Sequence, residues 1–197
     1  MKKILLTAFE PFGGETVNAS EMATAQLTPP TGVQLVRLTV PTVFGRCFET
    51  VLTAVLHESP DAVVCIGQAA GRAAITPERT AVNLRDARIP DNTGCRPVSL
   101  PVIPDGPASF ETTLPVNRIV ESISALRIPA RISDSAGTYV CNDLMYGLLC
   151  GLQRRGLSIP AGFIHVPCLP EQTRQGEASL PLPTIVEGLN AALEAIF

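Results

Sequence analysis

The stretch Arg131-Ile-Ser-Asp-Ser-Ala-Gly-Thr-Tyr-Val-Cys-Asn-Asp-Leu-Met-Tyr146 decides the fold of this chain, because it predicts a strand, a turn and a helix in succession. Residues 130–133 continue an apolar run that Pro129 interrupts and predict the strand, and residues 134–138 are turn formers. From Val140 onwards a valine or leucine recurs at every fourth position, which is the period of a helix. Gly156 follows two arginines and is expected to end this helix.

Cys141 is predicted to lie in the first turn of that helix. Unpaired backbone N–H groups and the positive end of the helix dipole favour a thiolate over a thiol there. The same N–H groups can hold an oxyanion. The alternative is a small buried cysteine that only packs the helix, so the assignment of Cys141 as a nucleophile depends on its neighbours.

Strands alternate with helices along most of the chain. Residues 62–67 are apolar at every position, as expected of a strand buried on both faces. Residues 80–85 alternate between polar and apolar and predict an exposed or antiparallel strand. Further strands are predicted at 3–7, 34–40 and 162–166, and helices at 20–27 (begun by Ser20), 42–57, 111–126 and 182–197. This order predicts an α/β fold, a single-domain α/β/α sandwich around a largely parallel mixed sheet, spanning residues 1–197.

Three connecting segments are candidates for ligand binding. Residues 68–72 follow a central strand, which is where open α/β sheets place ligands. Residues 9–14 contain two phenylalanines and two glycines, and either bind a ligand or close the core over the first strand. Residues 87–115 hold six prolines and repeated turn dipeptides, so we expect a long surface loop.

Composition excludes several classes of partner. The 197 residues include 15 basic and 18 acidic side chains without a run of either sign, so neither nucleic acid nor an anionic membrane is an expected partner. No apolar stretch has the length of a membrane span, and the apolar start is interrupted at Glu10-Pro11 before a signal peptide can form. The six cysteines form no C-x-x-C pair, which gives little support to a disulfide framework or a zinc site. We expect a soluble protein of the reducing cytoplasm.

His165 is one of two histidines, and it lies in the predicted strand 162–166. An imidazole in a buried strand needs a partner, and the preceding helix begins at Cys141. A cysteine hydrolase also needs a group that orients its imidazole, and the sequence leaves four acids open for this role: Glu78, Asp91, Asp134 and Asp143. His57 lies in the last turn of a predicted helix, where a structural role is expected.

Three separated motifs are distinctive: Ser135-Ala-Gly-Thr-Tyr-Val-Cys-Asn142, Ile75-Thr-Pro-Glu-Arg79 with Ala81-Val-Asn83, and Phe163-Ile-His-Val-Pro167. They resemble the signatures of the pyroglutamyl peptidase type I (pyrrolidone-carboxylate peptidase) family. The opening Phe9-Glu-Pro-Phe-Gly-Gly-Glu-Thr-Val-Asn18 and Ala87-Arg-Ile-Pro-Asp-Asn92 are similar too. Ala8, Ala19 and Cys168 depart from the usual pattern, and Cys168 adds a thiol three residues from His165.

The resemblance implies a cysteine exopeptidase, a thiol protease that removes an N-terminal 5-oxoproline residue from peptides through a thioester. It implies no cofactor, and a homo-oligomer that is commonly a tetramer. Within the matching motifs it implies Cys141 as nucleophile, His165 as general base and Glu78 as orienting acid. It also implies Phe9 and Phe12 around the lactam ring, Asn18 and Gln68 in the pocket, and Arg88 near the oxyanion.

The residue types agree with that chemistry. A neutral lactam has no ammonium group, so an apolar aromatic pocket with one or two amide hydrogen bonds suits it. Two other functions remain open on the sequence alone. One is an amidase that acts on another small acyl amide, and the other is a non-catalytic domain that binds a small ligand.

Overall fold

The structure, a computed structural model that describes residues 1–197, contains seven strands and five α-helices. In chain order they are β1 (Lys2–Phe9), α1 (Ala19–Gln26), β2 (Val33–Val40), α2 (Arg46–Glu58), β3 (Ala62–Gln68), β4 (Thr76–Pro77), β5 (Thr80–Val82), β6 (Ser109–Glu111), α3 (Val116–Ala125), α4 (Val140–Arg154), β7 (Ala161–Val166) and α5 (Leu182–Glu194). No helix combines the length and the apolar composition that crossing a bilayer requires.

The central sheet has the order β2-β1-β3-β7-β4, and only the pairing of β4 with β7 is antiparallel. β3 and β7 are buried along almost their whole length, because helices cover both faces of the sheet. α1, α3 and α5 enclose one hydrophobic cluster, and α2 and α4 enclose the other. The predicted α/β/α sandwich around a largely parallel sheet is confirmed.

The topology brings the carboxyl ends of three parallel strands together. β1 ends at Phe9, β3 at Gln68 and β7 at Val166, directly after His165. The helix N-terminus that bears Cys141 lies over the same edge, since α4 packs on β7. This is the edge at which open α/β sheets bind ligands.

Residues 130–133 do not form the predicted strand. They form only two isolated bridges, from Ala130 to Ile75 and from Ser133 to Glu78. Their partner is the region of β4, which is two residues long, so no continuous ladder can develop. Sequence patterns cannot detect a strand of two residues, and β4 itself was also missed.

Several predicted helices begin at other residues. Asn18, not Ser20, caps α1, and its side chain accepts a hydrogen bond from the N–H of Ser20. α2 begins at Arg46 rather than at residue 42, because two carboxylates hold the preceding turn: Glu10 accepts from the N–H of Thr42 and Asp91 from that of Phe44. α3 begins at Val116 because residues 109–111 pair with β5 as strand β6.

The predicted long loop, residues 87–115, contains β6 and is attached to the rest of the protein at several points. The hydroxyl of Tyr146 donates to the carbonyl of Pro107, and the hydroxyl of Tyr139 donates to that of Pro90. Asn92 bonds to the side chain of Glu10 and to the carbonyl of Pro11. The segment is therefore held against the edge of the sheet where Cys141 lies.

Asp143 joins the starts of α2 and α4. Its fully buried carboxylate accepts from the N–H of Gly45 at 2.6 Å, from the thiol of Cys47 at 3.4 Å and from Nε of Arg85. These contacts engage Asp143 away from His165. Because the carboxylate has no access to water, its charge is balanced only by these groups.

We expect Asp143→Ala to lower the free energy of unfolding by about 3–5 kcal/mol, because it leaves the half-buried guanidinium of Arg85 without its counter-charge. Asp134→Ala is the matched control, since Asp134 pairs with Arg79 on the surface and should contribute less than about 1 kcal/mol. Denaturation by urea measures both. Equal losses in the two variants would contradict the structural role of Asp143.

Candidate active site

His165 and Glu78 form a buried hydrogen bond at the end of the sheet. Nδ1 of His165 lies 2.6 Å from Oε1 of Glu78, and the carboxylate is fully buried. β4 positions Glu78, because Thr76 pairs with His165 and the N–H of Glu78 donates to the carbonyl of Phe163. With Nδ1 bonded to the carboxylate, Nε2 is the nitrogen left to act as a base.

Of the four acids left open by the sequence, Glu78 is the one that contacts His165. Asp91 instead accepts hydrogen bonds from residues of its own turn and from Phe44. Asp134 is exposed in a surface ion pair, and Asp143 is held by Arg85. His57, the other histidine, is exposed and lies beside Glu58.

Cys141 and His165 line the same cavity, whose volume is about 580 Å³. Cys141 is the second residue of α4, next to the end of the helix where the first N–H groups have no partner within the helix. Gly67 of β3 makes room for the sulfur, because a Cβ atom there would lie 3.1 Å from Sγ and 2.6 Å from Cζ of Phe163. Any larger residue at position 67 would displace the thiol or the Phe163 ring.

Three of the predicted binding residues also line this cavity: Phe12, Gln68 and Arg88. Phe9 does not, since it is 2% exposed and packs on Phe163 with the ring centroids 6.2 Å apart. Asn18 is also buried, where it caps α1 and donates to the carbonyl of Glu10. Phe9 and Asn18 therefore do not face the cavity but pack against residues that surround it.

The sequence analysis missed several residues of the wall. Tyr139 lies between Phe12 and Phe44, with ring centroids 5.9 and 5.4 Å away, and forms much of the aromatic surface. Arg72 also faces the cavity and forms an ion pair with Glu78 at 2.6 Å. Tyr139 lies in the turn before α4 and Arg72 in the loop after β3, two segments that the sequence already indicated as candidates. Periodicity gave no signal for which of their side chains turn inward.

Backbone groups fix the orientation of the Gln68 amide. Oε1 of Gln68 accepts from the N–H of Ala19 at 2.7 Å, and a backbone N–H can only donate. The same Oε1 accepts from Nε2 of Gln172 at 3.0 Å, and Oε1 of Gln172 in turn accepts from the N–H of Leu169. The carbonyl of Gln68 is thus occupied, and its N–H groups, which lie within reach of the Cys168 thiol, are the groups left to donate to a ligand.

Burial controls the ionisation of the candidate nucleophile. It raises the pKa of the Cys141 thiol to about 12, and the carboxylate of Glu78 also raises it, while the guanidinium of Arg72 partly offsets both. Burial lowers the pKa of His165, against the raising effect of its bond to Glu78. These shifts favour a thiol and a neutral imidazole in the resting site. Desolvation of the thiol thus opposes the thiolate that the helix terminus favours.

No cluster of three or more His, Cys, Asp or Glu side chains in the structure has the arrangement of a metal site.

Comparison with known proteins covers almost the whole chain. The sequence profile of the family described as Pyroglutamyl peptidase matches residues 2–197. A pyrrolidone-carboxylate peptidase of Levilactobacillus brevis is 47% identical over 197 residues, which cover 98% of this chain and 97% of that protein. A pyrrolidone-carboxylate peptidase of Bacillus licheniformis is 49% identical over 194 residues, which cover 97% of this chain and 90% of that protein. The crystal structure of Bacillus amyloliquefaciens pyroglutamyl peptidase I has a TM-score of 0.93 at 46% identity and covers 100% of this chain and 97% of its own.

The ionisation state makes a prediction about thiol reactivity. Brief treatment with iodoacetamide near neutral pH should modify the exposed Cys95 first and Cys141 more slowly, because the Cys141 thiol is protonated at that pH. Cys47 and Cys65 should resist, since both are fully buried and the reagent cannot reach them, whereas Cys141 is partly exposed. Peptide mapping by mass spectrometry gives the order. Modification of Cys141 ahead of Cys95 would show that the resting enzyme holds a thiolate.

Proposed function

The chain belongs to the pyroglutamyl peptidase family, and from that premise we propose that it hydrolyses the amide bond after an N-terminal 5-oxoproline residue of peptides, with Cys141 as nucleophile. The observation that supports this most directly is the arrangement of three groups. The buried Glu78 carboxylate bonds to His165, and His165 lines one cavity with Cys141. A nucleophile, a base and a group that orients the base are the parts that acyl transfer by a cysteine requires.

The resting charges determine how the reaction begins. Because burial favours a protonated thiol and a neutral imidazole, Nε2 of His165 takes the proton of Cys141 as Sγ attacks the acyl carbonyl. Glu78 stabilises the imidazolium that forms. The backbone N–H groups at the start of α4 are placed to stabilise the oxyanion of the tetrahedral intermediate, and Arg88 adds a positive charge to the same cavity.

Three further proton transfers complete the cycle. The imidazolium of His165 protonates the leaving amine as the C–N bond breaks, which releases the shortened peptide and leaves a thioester of 5-oxoproline on Cys141. Water then attacks the thioester with His165 as base. This step releases 5-oxoproline and returns the proton to the thiol, so no cofactor is consumed.

The cavity suits a neutral ring. Phe12, Tyr139 and Ile89 give it aromatic and aliphatic walls, and the amide N–H groups of Gln68 can donate to a lactam carbonyl. For an ammonium group the wall offers only the exposed carboxylate of Asp86, which already accepts a hydrogen bond from Ser99. A cationic N-terminus would therefore lose hydration without gaining a buried counter-charge.

The proposal extends to the setting of the enzyme. All six cysteines are free thiols, which fits the reducing cytoplasm. Val98 and Leu100 are 65% and 52% exposed on the long segment before β6, and burial of these apolar side chains would favour a homo-oligomer. We propose a tetramer because the family resemblance implies one. Light scattering of the purified protein measures the subunit number.

Loss of either reacting group should abolish turnover. We expect Cys141→Ala and His165→Ala to reduce kcat/KM for a pyroglutamyl anilide by roughly a thousandfold or more, and Glu78→Ala to reduce it less, because an orienting group is partly dispensable. His57→Ala is the matched control and should retain activity. Release of the amine measures all four. Wild-type turnover by Cys141→Ala, or no turnover by the wild type, would overturn the proposal. The remaining functions would then be an amidase of other specificity or a domain that binds a small ligand.

Substrate specificity tests the pocket separately from the chemistry. Peptides that begin with glutamine or proline should be cleaved at least about a thousandfold less efficiently than pyroglutamyl peptides, since their ammonium groups are desolvated without a partner. Phe12→Ala should weaken cleavage of pyroglutamyl substrates strongly while leaving alkylation of Cys141 nearly unchanged. Comparable cleavage of the three kinds of peptide would contradict a pocket for neutral lactams.

A further inference from the structure

Arg72 is placed directly behind the candidate catalytic groups. It lies in the loop after β3, faces the cavity and has a side chain that is 22% exposed. Its Nη1 lies 2.6 Å from Oε1 of Glu78 and also donates to the hydroxyl of Thr76, the β4 residue that pairs with His165. The guanidinium is thus tied to the short strand that positions Glu78.

One carboxylate oxygen serves two donors. Oε1 of Glu78 accepts from Arg72 and from Nδ1 of His165, each at 2.6 Å, whereas the buried Oε2 has no partner. Arg72 and His165 therefore interact with the negative charge of the same carboxylate oxygen. A change at Arg72 must alter how much of that charge acts on the imidazole.

We propose that Arg72 is a positioning residue that fixes the Glu78 carboxylate behind His165 and shares its negative charge, so that the imidazole stays neutral and free to accept the proton of Cys141. The inference rests on the proposed function, since it concerns the same three groups. It adds Arg72 as a fourth residue to Cys141, His165 and Glu78. Arg72 acts through Glu78 and need not touch the reacting atoms.

The charges around the site support this role. Besides burial, the groups that act on His165 are Glu78 and Arg72, and the guanidinium lowers the pKa of the imidazole. Glu78, Arg72 and Cys65 act on Cys141, and there too Arg72 lowers the pKa. Without Arg72, Glu78 would be balanced by His165 alone, which favours an imidazolium. An imidazolium cannot take the thiol proton.

The sign of the pH effect follows. The acid limb of kcat/KM reports the protonation of the base in the free enzyme. Removing the charge of Arg72 raises the pKa of His165, so the acid limb moves to higher pH. The same change raises the pKa of Cys141, so alkylation of that thiol becomes slower at any given pH below it. Both shifts act on groups in the site, not on the overall fold.

The test compares Arg72→Met and Arg72→Gln with Arg72→Lys, which keeps the charge. Arg79→Gln is the matched control, because Arg79 is next to Glu78 in sequence but pairs with the exposed Asp134. We expect the two neutral variants to move the acid limb of kcat/KM for a pyroglutamyl anilide upward by roughly one pH unit. They should also slow alkylation of Cys141 about tenfold. Arg72→Lys should keep both the acid limb and the alkylation rate close to those of the wild type. Arg79→Gln should change neither quantity.

A purely structural role gives a different result. If Arg72 only secures its loop, the neutral variants lose activity equally at all pH values, their acid limb stays in place, and the inference is overturned. Thr76→Val provides a second check, since it removes the other contact of Nη1 but keeps the ion pair, and its acid limb should stay near that of the wild type. Failure of the proposed function is distinguishable, because the wild type itself would then not release the amine.

Discussion

The buried bond between Glu78 and His165 is the interaction on which the site depends. A carboxylate without access to water is strongly unfavourable unless other groups balance its charge, and here an imidazole and a guanidinium share one of its oxygens. Those partners come from β7 and from the loop after β3, two separate parts of the sheet edge. The sandwich brings them together because β3 and β7 are neighbours and β4 adds Glu78 on the outer side of β7.

The same exclusion of water links chemistry to specificity. Burial raises the pKa of the Cys141 thiol and lowers that of the His165 imidazole, which favours transfer of the proton during attack. A cavity that desolvates a thiolate also desolvates an ammonium group. The proposed preference for a neutral lactam and the raised pKa of the thiol therefore have the same physical cause.

The sequence predicted those parts of the fold that have long regular patterns. The apolar run of β3 and the four-residue period of α4 predicted two central elements, and the family motifs indicated Cys141, His165 and Glu78 as candidate catalytic residues. β4 and β6 were not predicted, because strands of two and three residues are too short to show a periodic pattern. The inward position of Tyr139 depends on contacts between segments far apart in the chain, and so does the burial that raises the pKa of the Cys141 thiol. The ion pair of Arg72 with Glu78 spans only six residues, but it lies in a turn without periodicity. No local pattern reports these.

The covalent intermediate tests the account most directly. Rapid acid quenching of the enzyme during turnover of a pyroglutamyl anilide, followed by intact-mass spectrometry and peptide mapping, should reveal a protein heavier by one 5-oxoprolyl group attached to Cys141. The adduct should be sensitive to hydroxylamine, as a thioester is, and absent from Cys141→Ala. An adduct on any other residue, or continued product release by Cys141→Ala, would contradict nucleophilic catalysis by Cys141.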